Sequence, residues 1–166
     1  AWPGRGKRFD EQIELLRRFW AEPTVDFEGT FHRVDRAGIA PRPARSIPIW
    51  CGGGSDVSLR RAARVADGFT FAASGRGSVA QAEKLLGYLA DNGRDRATFS
   101  LEFSTAYGLG AERWQKAFEL VGAAGATHLA VNTMSSTAAW ARTEPSGFTT
   151  PAEHIAGLET FIRTFQ

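Results

Sequence analysis

Ile47-Pro48-Ile49-Trp50-Cys51-Gly52-Gly53-Gly54-Ser55-Asp56-Val57-Ser58 passes from an apolar run, through three glycines, into the start of a helix. The run reads as a buried strand with Pro48 at its entry, where no ladder donor is lost. Ser55 is a favourable N-cap for a helix from Asp56 to Ala66, and Gly68 suits the left-handed position that closes it. Phe69-Thr70-Phe71-Ala72 is then a second strand. A strand, a helix and a strand so closely spaced imply parallel pairing through a right-handed crossover.

The same alternation continues downstream. Ser78 with Gln81 predicts a capping box for a helix carrying Ala82, Leu85, Leu86 and Leu89, which Asp91-Asn92-Gly93 ends. A third strand is predicted over roughly Thr98 to Tyr107, followed by a helix with Trp114, Ala117, Phe118 and Val121 inward. Gly125 breaks that helix, and His128 to Asn132 is the fourth strand. Ser135 to Gly147 reads as a disordered stretch. Thr150-Pro151-Ala152-Glu153 combines a capping box with proline at the first helical position. The helix it opens is predicted to bury Ile155, Leu158, Ile162 and Phe165.

Upstream lies a helix from about Phe9 to Trp20, with Ile13, Leu16 and Trp20 on one stripe and Leu15 and Phe19 widening it. Val25 to Phe31 reads as a short hairpin about Glu28-Gly29, and Arg33 to Ser46 as a long surface loop. Residues 21–46 are thus a hairpin-and-loop insertion in a single domain, 1–166.

At 166 residues and 43% hydrophobic, the chain can bury a sizeable core. Its 20 basic and 18 acidic side chains leave a formal charge of +2, and the basic residues lie singly or in pairs with acids between them. A phosphate-backbone binder concentrates them, so nucleic acid is disfavoured. Cys51, the one cysteine, excludes an intrachain disulfide framework or a multi-cysteine zinc site. No apolar run approaches the roughly 18–20 residues that span a bilayer, and no signal-peptide pattern follows Ala1. A reducing, cytoplasmic setting is the simplest expectation. His32, His128 and His154 are too scattered for a metal centre.

Four parallel βα units behind a leading helix and short hairpin make an α/β protein. Three architectures remain: an open doubly wound sheet, half of an eight-stranded barrel, or a smaller αβ sandwich. A (β/α)8 barrel takes roughly 250 residues, and a chain that opens on a helix reads as one entered partway through.

The glycine turn is the strongest chemical signal. Gly52, Gly53 and Gly54 let the backbone approach a ligand, and the helix start after them offers unpaired N–H groups and the positive end of its dipole, suited to a phosphate. Ser55 and Ser58 add hydroxyls. No Gly-Lys-Ser/Thr follows, and Val57 stands where a dinucleotide fingerprint has its third glycine. A tight turn with nothing bound explains the same residues. Asp56 opposes an anion unless its side chain points away. By position after their strands, Ser74, Gly75 and Arg76, Ser104 and Thr105, and Asn132 and Thr133 face the catalytic end of a barrel. Arg5 and Arg8 read as salt-bridging partners of Asp10 and Glu11. His128 and Cys51 read as structural, Trp50, Phe69, Phe71 and Phe103 as core, and His32 as lying on a loop that can cover a site.

Pro41-Arg42-Pro43, Ile47 to Ser55 and Leu59-Arg60-Arg61-Ala62-Ala63-Arg64-Val65-Ala66-Asp67-Gly68-Phe69, with Gly4 to Glu11 and Val25 to Phe31 before them, resemble the bacterial luciferase-like monooxygenase family. The likeness is greatest to its branch that uses the deazaflavin coenzyme F-420. The resemblance implies a (β/α)8 barrel that binds the deazaflavin, or alternatively FMN, at the carboxyl ends of its strands, with this chain as the C-terminal half of that TIM barrel. It implies a flavin- or deazaflavin-dependent oxidoreductase acting on a small-molecule substrate, with Gly52, Gly53, Gly54 and Ser55 holding the cofactor phosphate and Ser58 secondary. The family's proton-handling residues fall outside the resemblance, so no catalytic residue is assigned. The competing expectation is a non-catalytic half-barrel that binds a phosphorylated ligand. Its unpaired sheet edges would drive it to self-associate as a homo-oligomer.

Overall fold

In the computed structural model, residues 4–135 and 144–166 are described; the central part of the stretch expected to be disordered, 136–143, lies outside them. The chain divides into two compact units, Ala1–Ile49 and Trp50–Gln166.

The first unit holds helix α1 (Arg5–Ala21) and strands β1 (Val25–Glu28) and β2 (Arg33–Ala37). On α1, Ile13 and Leu15 are buried, whereas Leu16, expected inward, is 44% exposed. β1 and β2 pair antiparallel, with Phe27 opposite Val34 and Glu28 opposite Arg33. The hairpin therefore runs on to Ala37, into the segment expected to be loop. That arginine-rich strand is held by its ladder and by Asp26, whose carboxylate accepts from the Arg36 N–H at 2.9 Å, while only Val34 is partly buried. Such pairing leaves no hydrophobic alternation to read. The turn closes from Gly29 N–H to the His32 carbonyl at 2.9 Å. Glu11 on α1 accepts from the N–H groups of Thr30, Phe31 and His32 and meets His32 Nδ1 at 3.2 Å. Burial raises its pKa, but the Phe31 and Thr30 amides outweigh that and hold the carboxyl below its ordinary value. Glu11 thus clamps the hairpin, and His32 is tied to the clamp.

In the second unit, β3 (Trp50–Gly52), α2 (Asp56–Val65), β4 (Gly68–Phe71), α3 (Arg76–Asp91), β5 (Ser100–Ala106), α4 (Ala111–Ala123), β6 (His128–Asn132) and α5 (Pro151–Arg163) follow in turn. The strands form one parallel sheet in chain order. Registers Cys51–Phe69–Leu101 and Gly52–Thr70–Glu102–His128 sort the side chains onto two faces. One face is apolar: Cys51, Phe69, Phe71, Leu101 and Phe103 are buried there, and with them are buried Leu59, Ala62 and Ala63 of α2 and Leu85 and Leu89 of α3. The other face carries Trp50, Thr70, Glu102, Ser104 and His128, none of them buried, with Thr70 Oγ1 donating to Glu102 at 2.7 Å. Trp50 and His128 stand on the sheet's two outermost strands, yet their rings meet edge to face at 5.0 Å. That face is concave. Trp50, expected in the core, belongs to it.

Three helix readings change. α3 starts at Arg76 with Gly75 as N-cap and no side-chain cap, so Ser78 lies inside the first turn and its capping box with Gln81 does not form. On α4, Trp114 and Val121 are buried but Phe118 is 51% exposed. The Thr150–Glu153 capping box of α5 is present as expected, and the Thr149 and Thr150 amides hold the Glu153 carboxyl down at about 2. Yet α5 buries Phe161, which packs edge-on against Trp114 at 5.2 Å, while Ile155 and Ile162 are 58% and 56% exposed. The aromatic contact with α4 rotates the expected stripe outward. Leu158 is exposed with it, and Phe165 meets the rings of Phe118 and Phe161.

Candidate functional site

The turn between β3 and α2 is built by three sequence choices. Gly53 takes φ +133°, a region L side chains rarely adopt, and a Cβ there would lie 3.0 Å from Ser58 Oγ. Gly54 has open space around it. Ser55, in extended conformation, caps α2 by accepting from the Ser58 N–H at 3.3 Å. Ser58 returns the contact, its hydroxyl donating to the Ser55 carbonyl at 2.6 Å.

These bonds sort the five residues of the expected site. Ser58 has both its amide and its hydroxyl proton engaged inside the turn and acts as a brace. Gly52, Gly53, Gly54 and Ser55 are exposed. Among the described residues no acceptor takes the N–H groups of Asp56 or Val57, the first two of α2, as expected at a helix start.

Asp56 is the residue that should repel an anion, and α3 removes it. Its Oδ1 accepts from Lys84 Nζ at 2.6 Å and from Tyr88 Oη at 2.6 Å, and its Oδ2 from Arg60 Nε at 2.8 Å. The Arg60 guanidinium also sits over the Tyr88 ring, 4.0 Å from its centroid. Lys84 first, then Tyr88 and Arg60, hold the Asp56 carboxyl far below the usual carboxylate range. Two cations offset its charge. Gln81 Nε2 donates to the Gly54 carbonyl at 3.4 Å. Lys84 and Tyr88 are not singled out by the sequence reading, which gives Gln81 a capping role only; the spacing of three, four and seven among these residues along α3 was the available signal, a polar stripe facing α2.

The other positional candidates separate. Ser74, Gly75, Ser104 and Thr105 share the lining of one cavity of about 370 Å³, whereas Arg76 begins α3 and does not line it. Asn132 Oδ1 accepts from the Met134 N–H, and Thr133 Oγ1 meets His154 Nδ1 at 2.7 Å. His154, dismissed with the scattered histidines, therefore stands at the carboxyl end of β6, edge-on to Phe148. Cys51 is buried, as expected of a small apolar residue, and His128 Nδ1 lies 2.8 Å from Thr127 Oγ1. Among the described residues no helix is long and apolar enough to cross a membrane.

A parallel sheet with a concave open face and a buried apolar one is the arrangement that part of a (β/α)8 barrel presents. The family model described as luciferase-like monooxygenase matches residues 1–157, and the chain belongs to that family. It is 37% identical over 94 residues to an F420-dependent glucose-6-phosphate dehydrogenase of Nakamurella multipartita, covering 55% of this chain and 27% of that one. A second enzyme of that name, from Intrasporangium calvum, is 40% identical over 88 residues, covering 51% and 26%. The matched segment thus spans about a quarter of these relatives' length. Among solved structures, an F420-dependent secondary alcohol dehydrogenase in complex with an F420-acetone adduct superposes with a TM-score of 0.59 at 15% identity, covering 99% of this chain and 55% of that one. The monooxygenase RslO1 from Streptomyces bottropensis gives 0.54 at 22% identity, covering 99% and 53%. These two likenesses carry the fold: the chain is a partial barrel of the luciferase-like type.

Proposed function

We propose that this chain is the cofactor-anchoring part of an oxidoreductase that uses coenzyme F-420, with FMN as the alternative, on a small organic substrate. The observation that carries the reading is the β3–α2 turn, where amide groups lie open at a helix start while the neighbouring Asp56 carboxylate is held by α3. The N–H groups of Gly54, Ser55, Asp56 and Val57 would hold the phosphate, with the Ser55 hydroxyl beside them, and the helix dipole favours the negative charge. When bound, the deazaflavin or flavin supplies the redox chemistry. The protein's part is then to fix one end of a long cofactor, so that its ring is oriented by a rigid turn rather than by a mobile side chain. Ser58 stiffens that turn rather than touching the ligand. The glucose-6-phosphate dehydrogenase relatives favour F-420 over FMN. With its lone buried cysteine, a reducing cytoplasmic setting suits the chain.

Titration with F-420 and with FMN, followed by ring fluorescence, tests the reading. Gly53→Asp adds a negative charge to the turn and a Cβ that would crowd Ser58 at a backbone conformation side chains rarely adopt, and is expected to weaken binding at least about tenfold, the cost of roughly 1.4 kcal/mol. Unchanged affinity for both cofactors would remove the turn from the site.

A second reading, a half-barrel that self-associates, is favoured by the outer edges of β3 and β6 and by the exposed Ile155, Leu158 and Ile162 on α5. Light scattering distinguishes it, since a monomer at working concentration contradicts it.

A further inference from the structure

The cavity of about 370 Å³ beside β4 and β5 lies away from the glycine turn. It is bounded by the residues after β4, by the end of β5 and by α4. Its walls are of two kinds. Leu109, Ala117 and Leu120 are apolar, while Arg113 and Lys116, one turn apart on α4, are cationic. Ser74 adds a hydroxyl, and Thr105 lines the cavity from the buried side of the sheet.

Thr105 is the unusual member. The residue is 4% exposed, and its Oγ1 has no hydrogen-bond partner among the described residues. An orphaned buried hydroxyl carries a desolvation penalty that a methyl group in its place would not, so its presence needs a partner that comes from elsewhere. A turn about its Cα–Cβ bond redirects that hydroxyl. On α4, Arg113 has no hydrogen-bonded acid among the described residues, and among them Lys116 holds only Glu112, at 2.7 Å on the exposed side of the helix. A guanidinium and an ammonium above an apolar chamber are a match for a molecule with an anionic head and a short hydrocarbon body. Glu112 competes for Lys116, which leaves Arg113 as the principal anchor.

We propose that this cavity binds a small amphipathic organic anion, its acid group on Arg113 and Lys116 and its apolar body against Leu109, Ala117 and Leu120. Thr105 completes the site by giving its unpaired hydroxyl to that same acid group.

Isothermal titration of the full chain with hexanoate, alongside hexanol and inorganic phosphate, tests this. Hexanoate is expected to bind at least tenfold more tightly than either comparison compound. Arg113→Gln should weaken hexanoate at least tenfold, whereas Gly53→Asp, at the separate glycine turn, should leave it unchanged. Thr105→Val should raise the apo melting temperature while weakening hexanoate, opposite signs that a merely structural threonine would not produce. Equal binding of hexanol or phosphate, an unaffected Arg113→Gln, or an apo melting temperature lowered by Thr105→Val would each overturn the assignment.

Discussion

Two junctions of the same topology, β3 to α2 and β4 to α3, solve the same problem differently. At the first, Gly53 holds a positive φ, Ser55 caps the helix, and Asp56 is fastened by Lys84, Tyr88 and Arg60. At the second, Gly75 is the N-cap in ordinary extended geometry with no side-chain bond, and a Cβ there would meet nothing within 4 Å. Both present a helix start, but only the first has its side chains committed to holding the backbone in one shape. A helix N-terminus becomes a dependable anion cradle when its own residues are made rigid and its own acid is withdrawn. By itself it is only a helix start.

The sharpest way to break this contrast is at the glycines. Gly53→Ala is expected to cost about 1–3 kcal/mol, because alanine is strained at that φ. Gly75→Ala should stay within about 0.5 kcal/mol, since its poorer capping and its stiffer unfolded chain offset each other. Urea melts of both variants measure the difference. Next come the serines. Ser55→Ala is expected to cost about 1 kcal/mol through loss of the cap, while Ser78→Ala, a residue that caps nothing, should change stability by less than about 0.5 kcal/mol. The smallest effect is electrostatic. The Asp56 carboxyl is depressed in the folded state, so its contribution is complete above the ordinary carboxylate value of about 3.9 and disappears as pH falls through the lower folded value. Wild-type melting temperature should therefore fall more steeply below about pH 4 than that of Asp56→Asn; parallel curves would show that α3 does not hold the carboxylate in solution.

What could be read from the chain alone was what is written locally. β6, the Thr150–Glu153 box and the Ser55 cap are each specified by neighbours within four residues, and all three stand where expected. The order of strands and helices followed from the same punctuation. What escaped depends on distant partners. β2 is defined by its ladder to β1, and the inward side of α5 by Trp114 on another helix. The neutralisation of Asp56 needs Lys84 and Tyr88, about thirty residues away and brought close only by the packing of α3 on α2. The glycine turn was visible as a motif; the fate of its acid was not.

One feature of the open face reaches beyond the junctions. The indole of Trp50 lies where a side chain at position 68 would stand, 2.7 Å from a Cβ built on Gly68, and from there it touches His128 three strands along. That contact exists only while the arc of strands stays bent, so a flattening sheet would separate the two rings. In a version of the chain whose sole indole is Trp50, its emission would act as a built-in gauge of curl, changed by the imidazole at close range and returning to that of a free indole when the arc relaxes.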